Sequence, residues 1–273
     1  MRPLAEGLDH PEGVAYDPDA HVVWAGGEAG QLYRVDPDSG AWSEQAARAP
    51  GFVLGLAVDG RGRLALCASH DGSLCGYDGE TVRRVLPGLL QPNYPAFGPD
   101  GTLYLSDSGT WARDDGRLMR LAADGEASVL SRDVPCFTNG LAVSRDGRWL
   151  WVVESSEPRL SRIDLRAGDG RAELVHRFDG TVLDGLALTA DGGMLVSCYR
   201  PDRIYHLGSD GRVEILAEDP QGTLLAAPTN VCFAGPELDV VIAANLGRWH
   251  LTRIETGLRG VPPHRPTTWA LDA

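Results

Sequence analysis

The sequence contains no lysine, and all 25 of its basic side chains are arginines. Without lysine the protein has no side-chain amine that could form a Schiff base or act as an amine nucleophile. It also lacks the lysine with which a P-loop grips phosphate. Three further signatures are missing: the GxSxG elbow of serine hydrolases, the HExxH zinc motif and a glycine-rich nucleotide fingerprint. Codon bias in a GC-rich genome explains the missing lysine more simply than selection for a particular chemistry.

Positive charge is also scarce. The 273 residues carry 38 acidic against 25 basic side chains, giving a formal net charge of −13 and a pI near 4.9. Such a charge argues against binding to nucleic acid or to an anionic membrane. No apolar run approaches ~18 residues, the length that spans a bilayer, and the first ten residues lack the apolar stretch of a signal peptide. We therefore expect a small-molecule substrate, and neither a nucleic-acid partner nor a membrane.

Cysteine is rare and unpatterned. The five cysteines form no CxxC pair, are odd in number and lie mostly inside apolar runs such as LALCAS, where a thiol packs as a small hydrophobe. This usage predicts a cytoplasmic protein, and we expect a monomer or a small homo-oligomer. The cysteines are Cys67, Cys75, Cys136, Cys198 and Cys232.

One phrase recurs along the whole chain: a short apolar strand, a turn often built on Asp-Gly, and a second apolar strand. The 34 glycines and 18 prolines are spread evenly, as expected for many tight turns. A fixed period of about 45 residues is typical of repeat architectures. The six units begin near residues 12, 54, 93, 139, 184 and 230.

Each unit continues with an alternating strand, such as GQLYRVDP, and often with a weaker fourth strand. Four short strands in about 45 residues, with no amphipathic helix between them, are typical of a propeller blade. The sequence therefore predicts an all-β protein, a six-bladed β-propeller with four antiparallel strands per blade, as a single domain over residues 1–273. The last unit lacks a clear fourth strand, so residues 2–6 are predicted to supply it. The tail from Pro262 onward is predicted to be irregular surface coil.

The first residue of each unit is predicted to point into the central channel, because the inner strand of a blade begins at one face. Five of these six residues offer a side-chain oxygen, although carboxylates are rarely buried unless they are paired or bind metal. Oxygen ligands without cysteine or histidine suit calcium, magnesium or manganese. The alternative is that these residues only cap turns. The six residues are Glu12, Leu54, Asn93, Asn139, Asp184 and Asn230.

The motifs around these positions resemble the gluconolactonase / senescence-marker-protein (regucalcin) family over nearly the whole chain. They are HPEGVAYDP, QPNYPAFGPDGTLYLSD, FTNGLAVSRDGRWLWVVE, LDGLAL and PTNVCFAGPELDVVIAA. The resemblance implies a propeller that holds one divalent metal in its channel, with Ca²⁺ expected first and Zn²⁺, Mg²⁺ or Mn²⁺ as alternatives. It also implies a metal-dependent hydrolase that opens a lactone or related cyclic ester.

The resemblance assigns roles to individual residues. Glu12, Asn139 and Asp184 fall on the family's metal ligands, and Asp184 is also the expected general base. Asn93 falls on a residue that contacts the substrate or metal-bound water, and Asn230 is expected to contact the substrate as well. Since a metal depresses the basicity of its ligand, the sequence leaves open whether Asp184 acts as ligand, as base or as both.

The chain departs from the family at positions that determine substrate specificity. Sugar lactonases of this type often carry an arginine and an aspartate at the places where this sequence has Gln91 and Tyr94. Both residues are predicted to contact the substrate. Losing a cation and gaining an aromatic ring predicts a substrate less polar than an aldonolactone.

The loops after each second strand are predicted to rise at the same face as the channel mouth. We expect Asp107 either to orient ligands or to cap a turn, and Glu154 to be an exposed loop acid. Trp111 and Trp249 are expected to pack rather than to form substrate walls. The residues of these loops are Glu28, His70, Asp107, Glu154, Tyr199, Arg200 and Asn245.

Two other functions remain open. The resemblance extends to strictosidine-synthase-like proteins, which catalyse condensations without the metal triad; purified protein free of stoichiometric metal would favour that class. A propeller that only binds partners through its rim would keep its function when Glu12 or Asp184 is replaced. The blades lack a WD-type signature, which places this third alternative last.

Overall fold

Twenty-four short strands form six four-stranded antiparallel sheets in a computed structural model that describes residues 1–273. The first strands of neighbouring sheets contact one another in chain order, and that of the sixth sheet contacts that of the first, so the sheets close into a ring. The predicted six-bladed β-propeller is confirmed. No helix is long and apolar enough to cross a membrane.

Each of the first three blades runs outward from the channel in chain order. Their strands are β2 (Val14–Asp17), β3 (Val22–Gly26), β4 (Leu32–Val35) and β5 (Trp42–Glu44); β6 (Val53–Val58), β7 (Leu64–Ala68), β8 (Ser73–Tyr77) and β9 (Val82–Pro87); β10 (Pro92–Phe97), β11 (Leu103–Asp107), β12 (Arg117–Leu121) and β13 (Ala127–Ser131).

The last three blades repeat this order, except that the outermost strand of blade six comes from the N-terminus. Their strands are β14 (Thr138–Val143), β15 (Trp149–Glu154), β16 (Arg159–Asp164) and β17 (Ala172–Arg177); β18 (Val182–Leu188), β19 (Met194–Arg200), β20 (Arg203–Leu207) and β21 (Val213–Glu218); β22 (Pro228–Ala234), β23 (Val240–Asn245), β24 (Leu251–Glu255) and β1 (Arg2–Leu4). Strand β1 pairs with β24 in antiparallel register, Arg2 opposite Arg253 and Leu4 opposite Leu251.

In the Asp-Gly turns, the aspartate side chain accepts a hydrogen bond from the backbone of the turn. Between β14 and β15, Asp146 Oδ1 accepts the backbone N–H of Arg148 at 3.1 Å. Gly147 has φ = +68°, a left-handed conformation that a side chain disfavours. Trp149, the first residue of β15, follows directly. Turns of this kind reverse the chain in a few residues and keep the blade strands short.

Apolar side chains pack between neighbouring blades rather than in one central core. Val23 of blade one and Ile242 of blade six, for example, belong to one fully buried cluster at the junction of these two blades. Similar clusters lie between other neighbouring blades. The channel is therefore left free for side chains of the inner strands. We call the face at which these strands begin the upper face and the opposite face the lower face.

The C-terminal tail, predicted to be surface coil, is irregular but firmly packed on the lower face. The N–H of Val261 donates to the Leu188 carbonyl of blade five, and His264 Nε2 lies 2.9 Å from the Ser144 carbonyl of blade four. The tail ends in blades two and three, where Trp269 is fully buried. The prediction of a surface coil was wrong on this point, because backbone bonds and one large side chain hold a segment that has no strand pattern. We call residues 257–273 the C-terminal strap.

Candidate metal and active site

A bulge near the upper end of the inner strands sets the position of the candidate site residues. In β14 the ladder pairs Thr138 with Glu154 and resumes with Leu141 opposite Val152, so Asn139 and Gly140 together face one residue. The same two-against-one interruption occurs in β6, β10, β18 and β22. Bulges re-aim side chains and are frequent beside active sites.

The strand register changes the alignment of the sixth repeat by one residue. In β22 the interruption falls between Pro228 and Val231, so Thr229 corresponds to Asn139 and Asn230 corresponds to Gly140. The repeat pattern of the sequence had predicted Asn230, rather than Thr229, at the position equivalent to Asn139. The six equivalent positions, which we call the ring layer, are Glu12, Leu54, Asn93, Asn139, Asp184 and Thr229.

Asn230 nevertheless joins the site from its offset position. Its side-chain nitrogen lies 3.3 Å from Glu12 Oε2, to which it donates a hydrogen bond across the junction of blades six and one. Thr229 Oγ1 donates to the backbone carbonyl of Glu12 at 2.7 Å. Blade six therefore fixes both the backbone and the carboxylate of Glu12.

Four buried oxygens in this region accept no hydrogen bond. They come from side chains that are each at least nine-tenths buried. Buried polar atoms without a partner are rare, because each loses its hydration without compensation. A bound cation would give these oxygens the missing partner. They are Asn93 Oδ1, Asn139 Oδ1, Asp184 Oδ1 and Asn230 Oδ1.

The two carboxylates of the site have strongly shifted pKa values. Burial raises the pKa of Glu12 well above its usual range, the charge of Asp184 raises it further, and the hydrogen bond from Asn230 opposes both. Burial likewise raises the pKa of Asp184. A divalent cation between them would reverse both shifts, since an opposite charge favours the ionised form. The donor set, two carboxylates and amide oxygens, is one that hard divalent cations prefer.

Asn139 is oriented by a hydroxyl relay between blades four and five. Its Nδ2 donates to Ser155 Oγ at 3.1 Å, and Ser155 Oγ donates to the Leu183 carbonyl at 2.6 Å. Since the amide nitrogen is engaged by Ser155, its oxygen is the atom left without a partner. This arrangement holds Asn139 as an oxygen ligand.

Glycines just below the ring layer let the inner strands approach closely. A Cβ on Gly140 would lie 2.5 Å from the carbonyl oxygen of Asp184, and one on Gly185 would lie 2.6 Å from Asn230 Oδ1. Both are closer than real Cβ contacts, so the spacing between these strands requires glycine. Four of the six blades have glycine here, and the exceptions are Tyr94 and Asn230.

Tyr94, predicted to contact the substrate, lies just below the ring layer and lines the channel there, and its hydroxyl makes no hydrogen bond within the protein. Its backbone N–H donates to Ser106 Oγ at 2.8 Å. Burial raises the pKa of the Tyr94 phenol, followed by smaller effects of Cys232, Glu12 and Asp184. The phenol therefore stays neutral beside the candidate metal site.

The residues two positions before each ring-layer residue form the channel wall above the ring layer. Most of them are apolar. Gln91 lies here, half-buried, and its backbone N–H donates to Asp107 Oδ1 at 2.7 Å. No side-chain hydrogen bond engages the Gln91 amide within the protein. The members of this upper layer are His10, Phe52, Gln91, Phe137, Val182 and Ala227.

Two exposed tryptophans extend this wall. Trp111 meets Phe137 edge-on at 5.0 Å between ring centroids, and Trp249 lies 5.6 Å from the His10 ring. They are 52% and 55% exposed, respectively, so the expectation that both pack in the interior was wrong. The channel mouth thus carries an aromatic rim.

In the loops that follow the second strand of each blade, some of the predicted residues are buried and bonded to neighbouring groups, and others are exposed. Glu154, expected to be an exposed loop acid, is fully buried; it pairs with Arg159 and accepts the backbone N–H of Cys136. That expectation was wrong, because the carboxylate anchors the loop that leads into β14. Asp107 is fully buried and pairs with Arg117 at 2.8 Å, and Asn245 accepts the N–H of Ala226. Glu28, His70 and Arg200 are exposed, and Tyr199 is half-buried under Arg200.

One cluster on the rim was not predicted: Asp9 and His10 lie beside Glu28, which alone was among the expected loop residues. His10 Nδ1 lies 3.2 Å from Asp9 Oδ1 and 3.1 Å from Glu28 Oε2. Potential ligand atoms of the three lie within 4.8 Å of one another. In the sequence, the only signal for this cluster was that the segments HPE (residues 10–12) and GGE (residues 26–28) both lie near the predicted channel mouth. Unlike the ring layer, this cluster is partly exposed.

Comparisons with known proteins identify the family and agree with the propeller fold. Residues 10–242 match the family described as the SMP-30/gluconolactonase/LRE-like region. The pentonolactonase XacC of Haloferax volcanii is 23% identical over 246 residues, which are 86% of this chain and 81% of the relative. The 6-deoxy-6-sulfogluconolactonase of Pseudomonas putida is 28% identical over 231 residues, 80% of this chain and 76% of the relative. The structure of a calcium-binding protein, regucalcin, from Agrobacterium tumefaciens superposes with a TM-score of 0.72 at 19% identity, covering 97% of this chain and 95% of that one.

Proposed function

Because the chain belongs to the SMP-30/gluconolactonase/LRE-like family, we propose that it is a divalent-metal-dependent lactone hydrolase whose centre is the ring layer. The observation that carries this proposal is the set of four buried, unbonded oxygens, three from amides and one from Asp184, together with the second buried carboxylate of Glu12. Both curated relatives described above are named lactonases, which supports the reaction class.

The metal ligands in this proposal are Glu12, Asn139 and Asp184. Calcium is the first choice, since the donors are all oxygen and the regucalcin structure is that of a calcium-binding protein. Zinc, magnesium or manganese are alternatives that the same donors accept. When bound, the cation supplies Lewis acidity that polarises the lactone carbonyl and stabilises developing negative charge.

The remaining chemistry falls to the chain's own residues. Water adds to the carbonyl carbon and Asp184 accepts its proton; the ring C–O bond then breaks, and the leaving oxygen takes that proton to give a hydroxy acid. Asn93 offers its unbonded Oδ1 to water or substrate at the same level of the channel. Asn230 holds the Glu12 carboxylate in place and presents its own Oδ1.

The substrate in this proposal is less polar than an aldonolactone. The upper layer offers one amide, Gln91, among apolar side chains such as Phe52 and Phe137. Polyhydroxylated lactones would leave several hydroxyls unpaired against such a wall, which is costly, whereas an alkyl- or aryl-substituted lactone would bury apolar surface.

We also propose a cytoplasmic location, because all five cysteines are free thiols and four of them are buried. Reducing compartments keep such thiols unpaired. A monomer or small homo-oligomer remains our expectation for the assembly.

The test is metal analysis of the purified protein, followed by a screen of lactones of graded polarity with and without chelator. We expect about one divalent ion per chain, activity that chelation removes and calcium restores, and preference for the less polar lactones. Protein that holds no stoichiometric ion and opens no lactone would contradict the proposal. It would favour a condensing enzyme or a binding propeller instead.

A further inference from the structure

Below the ring layer the channel contains a cavity. Its volume is about 300 Å³, and 20 of its 28 lining residues are hydrophobic. None of the unbonded oxygens of the metal site belongs to this lining. The cavity is surrounded by the lower halves of the inner strands, where each blade contributes one small, half-buried residue. These residues are Ala15, Ala57, Ala96, Ala142, Ala187 and Cys232.

The C-terminal strap forms the floor of this cavity with residues 261–265. Arg265 could offer a charge to an anionic ligand, but its guanidinium already pairs with Asp17 at 2.7 Å and Asp19 at 2.9 Å. His264 is bonded to the Ser144 carbonyl through Nε2. The floor therefore presents no free cation to the interior.

Two side chains of the inner strands present polar groups to the cavity without a hydrogen-bond partner. The Tyr94 side chain is more than nine-tenths buried, and its hydroxyl is bonded to nothing in the protein. The Cys232 thiol replaces the alanine of the other five blades, and burial raises its pKa to about 12, so it is neutral. A cavity of this size has the volume of about ten water molecules, yet two polar groups satisfy only a few of them.

We propose that this lower cavity binds an uncharged, apolar small molecule that carries one hydrogen-bonding group directed at Tyr94. The apolar lining favours a hydrocarbon body and disfavours an ion of either sign, because a buried charge would find no free partner there: Arg265 is already paired with Asp17 and Asp19. The volume accommodates about ten non-hydrogen atoms if each takes the space of one liquid water. Cavities of this size and lining are typical of small-molecule sites. The site is independent of the proposed lactone hydrolysis, since it shares no metal ligand with it.

The probe is 4-propylphenol, titrated calorimetrically into the full-length, calcium-loaded protein. We expect one saturable site with a Kd on the order of 0.1 mM, ordinary for a ligand of this size. Propylbenzene, which lacks the hydroxyl, should bind several-fold more weakly, and 4-propylbenzoate should not bind measurably because its charge would be buried unpaired. No saturable site for 4-propylphenol, or tighter binding of the benzoate, would overturn the proposal.

Variants locate the site. Ala57→Leu and Ala142→Leu, made separately so that one remains if the other misfolds, should each weaken 4-propylphenol binding at least ~10-fold by filling the cavity. Ala41→Leu, on the exposed outer part of blade one, is the matched control and should leave the Kd unchanged. Tyr94→Phe should reduce the affinity for 4-propylphenol to that for propylbenzene and leave propylbenzene itself unaffected. An unchanged Kd in both leucine variants would place the phenol elsewhere and refute the assignment.

Discussion

At the scale of single residues, the site depends on oxygens that the protein itself does not satisfy. Ser155 and Glu12 occupy the amide nitrogens of Asn139 and Asn230, and this leaves the oxygens free. The two carboxylates are buried without a basic partner. Burying such groups without a partner is costly, so the proposed cation would stabilise the fold when it binds.

The first prediction concerns the two carboxylates. Glu12→Gln and Asp184→Asn should each lower kcat/KM by at least ~100-fold, because a metal ligand or a general base is lost. Both should also weaken calcium binding measured by calorimetry. The matched control is Glu126→Gln, which removes one exposed carboxylate from an outer turn and should change neither quantity. Full metal-dependent turnover in Asp184→Asn would remove Asp184 from the mechanism.

The second prediction concerns substrate choice. Gln91→Arg should raise kcat/KM for polyhydroxylated aldonolactones relative to alkyl-substituted lactones, by ~10-fold in the ratio, since a guanidinium supplies charged hydrogen bonds worth about 1.5 kcal/mol or more. Gln91→Met, of similar length and without hydrogen-bond donors, is the control and should shift the ratio the other way. Equal ratios in all three proteins would exclude Gln91 from substrate contact.

Residue types and spacing were enough to predict which blades carry the polar ring residues, because Glu12, Asn93, Asn139 and Asp184 each precede the most apolar strand of a repeat. The position of Asn230 was not predictable, since it occupies the second residue of the bulge, where four other blades have glycine, and the apolar pattern does not reveal this register. The burial of Glu154 was also missed. Its partner Arg159 lies across a hairpin, and a lone acid at a strand end is indistinguishable from an exposed one in the sequence.

At the scale of secondary-structure elements, the spacing between inner strands controls the site. Gly140→Ala would place a Cβ 2.5 Å from the Asp184 carbonyl and 2.7 Å from Gly185 Cα, so β14 and β18 must separate. We expect a loss of about 1–3 kcal/mol in the free energy of unfolding, the usual cost of overpacking, and weaker calcium binding. Gly208→Ala is the control, because the atom nearest to its Cβ belongs to the Asp210 side chain in an outer turn. Equal calcium affinity in both variants would contradict this explanation.

The loop that leads into β22 depends on one carboxylate. Burial alone would raise the pKa of Asp219, but the N–H of Leu224 and the donors of Thr223 outweigh it and lower the pKa to about 2. Asp219 Oδ2 accepts these bonds at 2.6 to 2.9 Å. Because its folded-state pKa is depressed, Asp219 stabilises the protein fully above about pH 4, and this contribution is lost as the pH falls through about 2.

Asp219→Asn should therefore lower the free energy of unfolding by about 2 kcal/mol at pH 7. The difference from the wild-type protein should shrink between pH 4 and pH 2, and urea unfolding at several pH values measures it. A difference that stays constant over this range would mean that the ionisation of Asp219 contributes nothing.

At the scale of the whole molecule, the C-terminal strap links blades across the lower face. The repeat pattern predicted the propeller because every blade repeats its alternating strands. It could not predict the strap, which has no periodicity and is held by scattered contacts. Trp269 is the largest of these: its ring packs edge-on against Phe97 at 5.4 Å, and its Nε1 donates to Asp59 Oδ2 at 3.0 Å.

Trp269→Ala should lower the free energy of unfolding by about 3–5 kcal/mol, the usual cost of removing a fully buried large aromatic side chain. Trp42→Ala, at a site that is 40% exposed, is the control and should cost less. Urea unfolding monitored by circular dichroism measures both. A loss below about 1 kcal/mol for Trp269→Ala would mean that the strap is not part of the cooperative unit.

The pairing of β1 with β24 has a consequence for how the protein is made. Arg2 lies opposite Arg253, so about 250 residues of synthesis separate the two strands. At 5–20 residues per second, a ribosome needs roughly 12 to 50 seconds to deliver the second strand after the first. Until then β1 lacks the strand with which it pairs, so blade six, and with it the ring, can be completed only after β24 has been made.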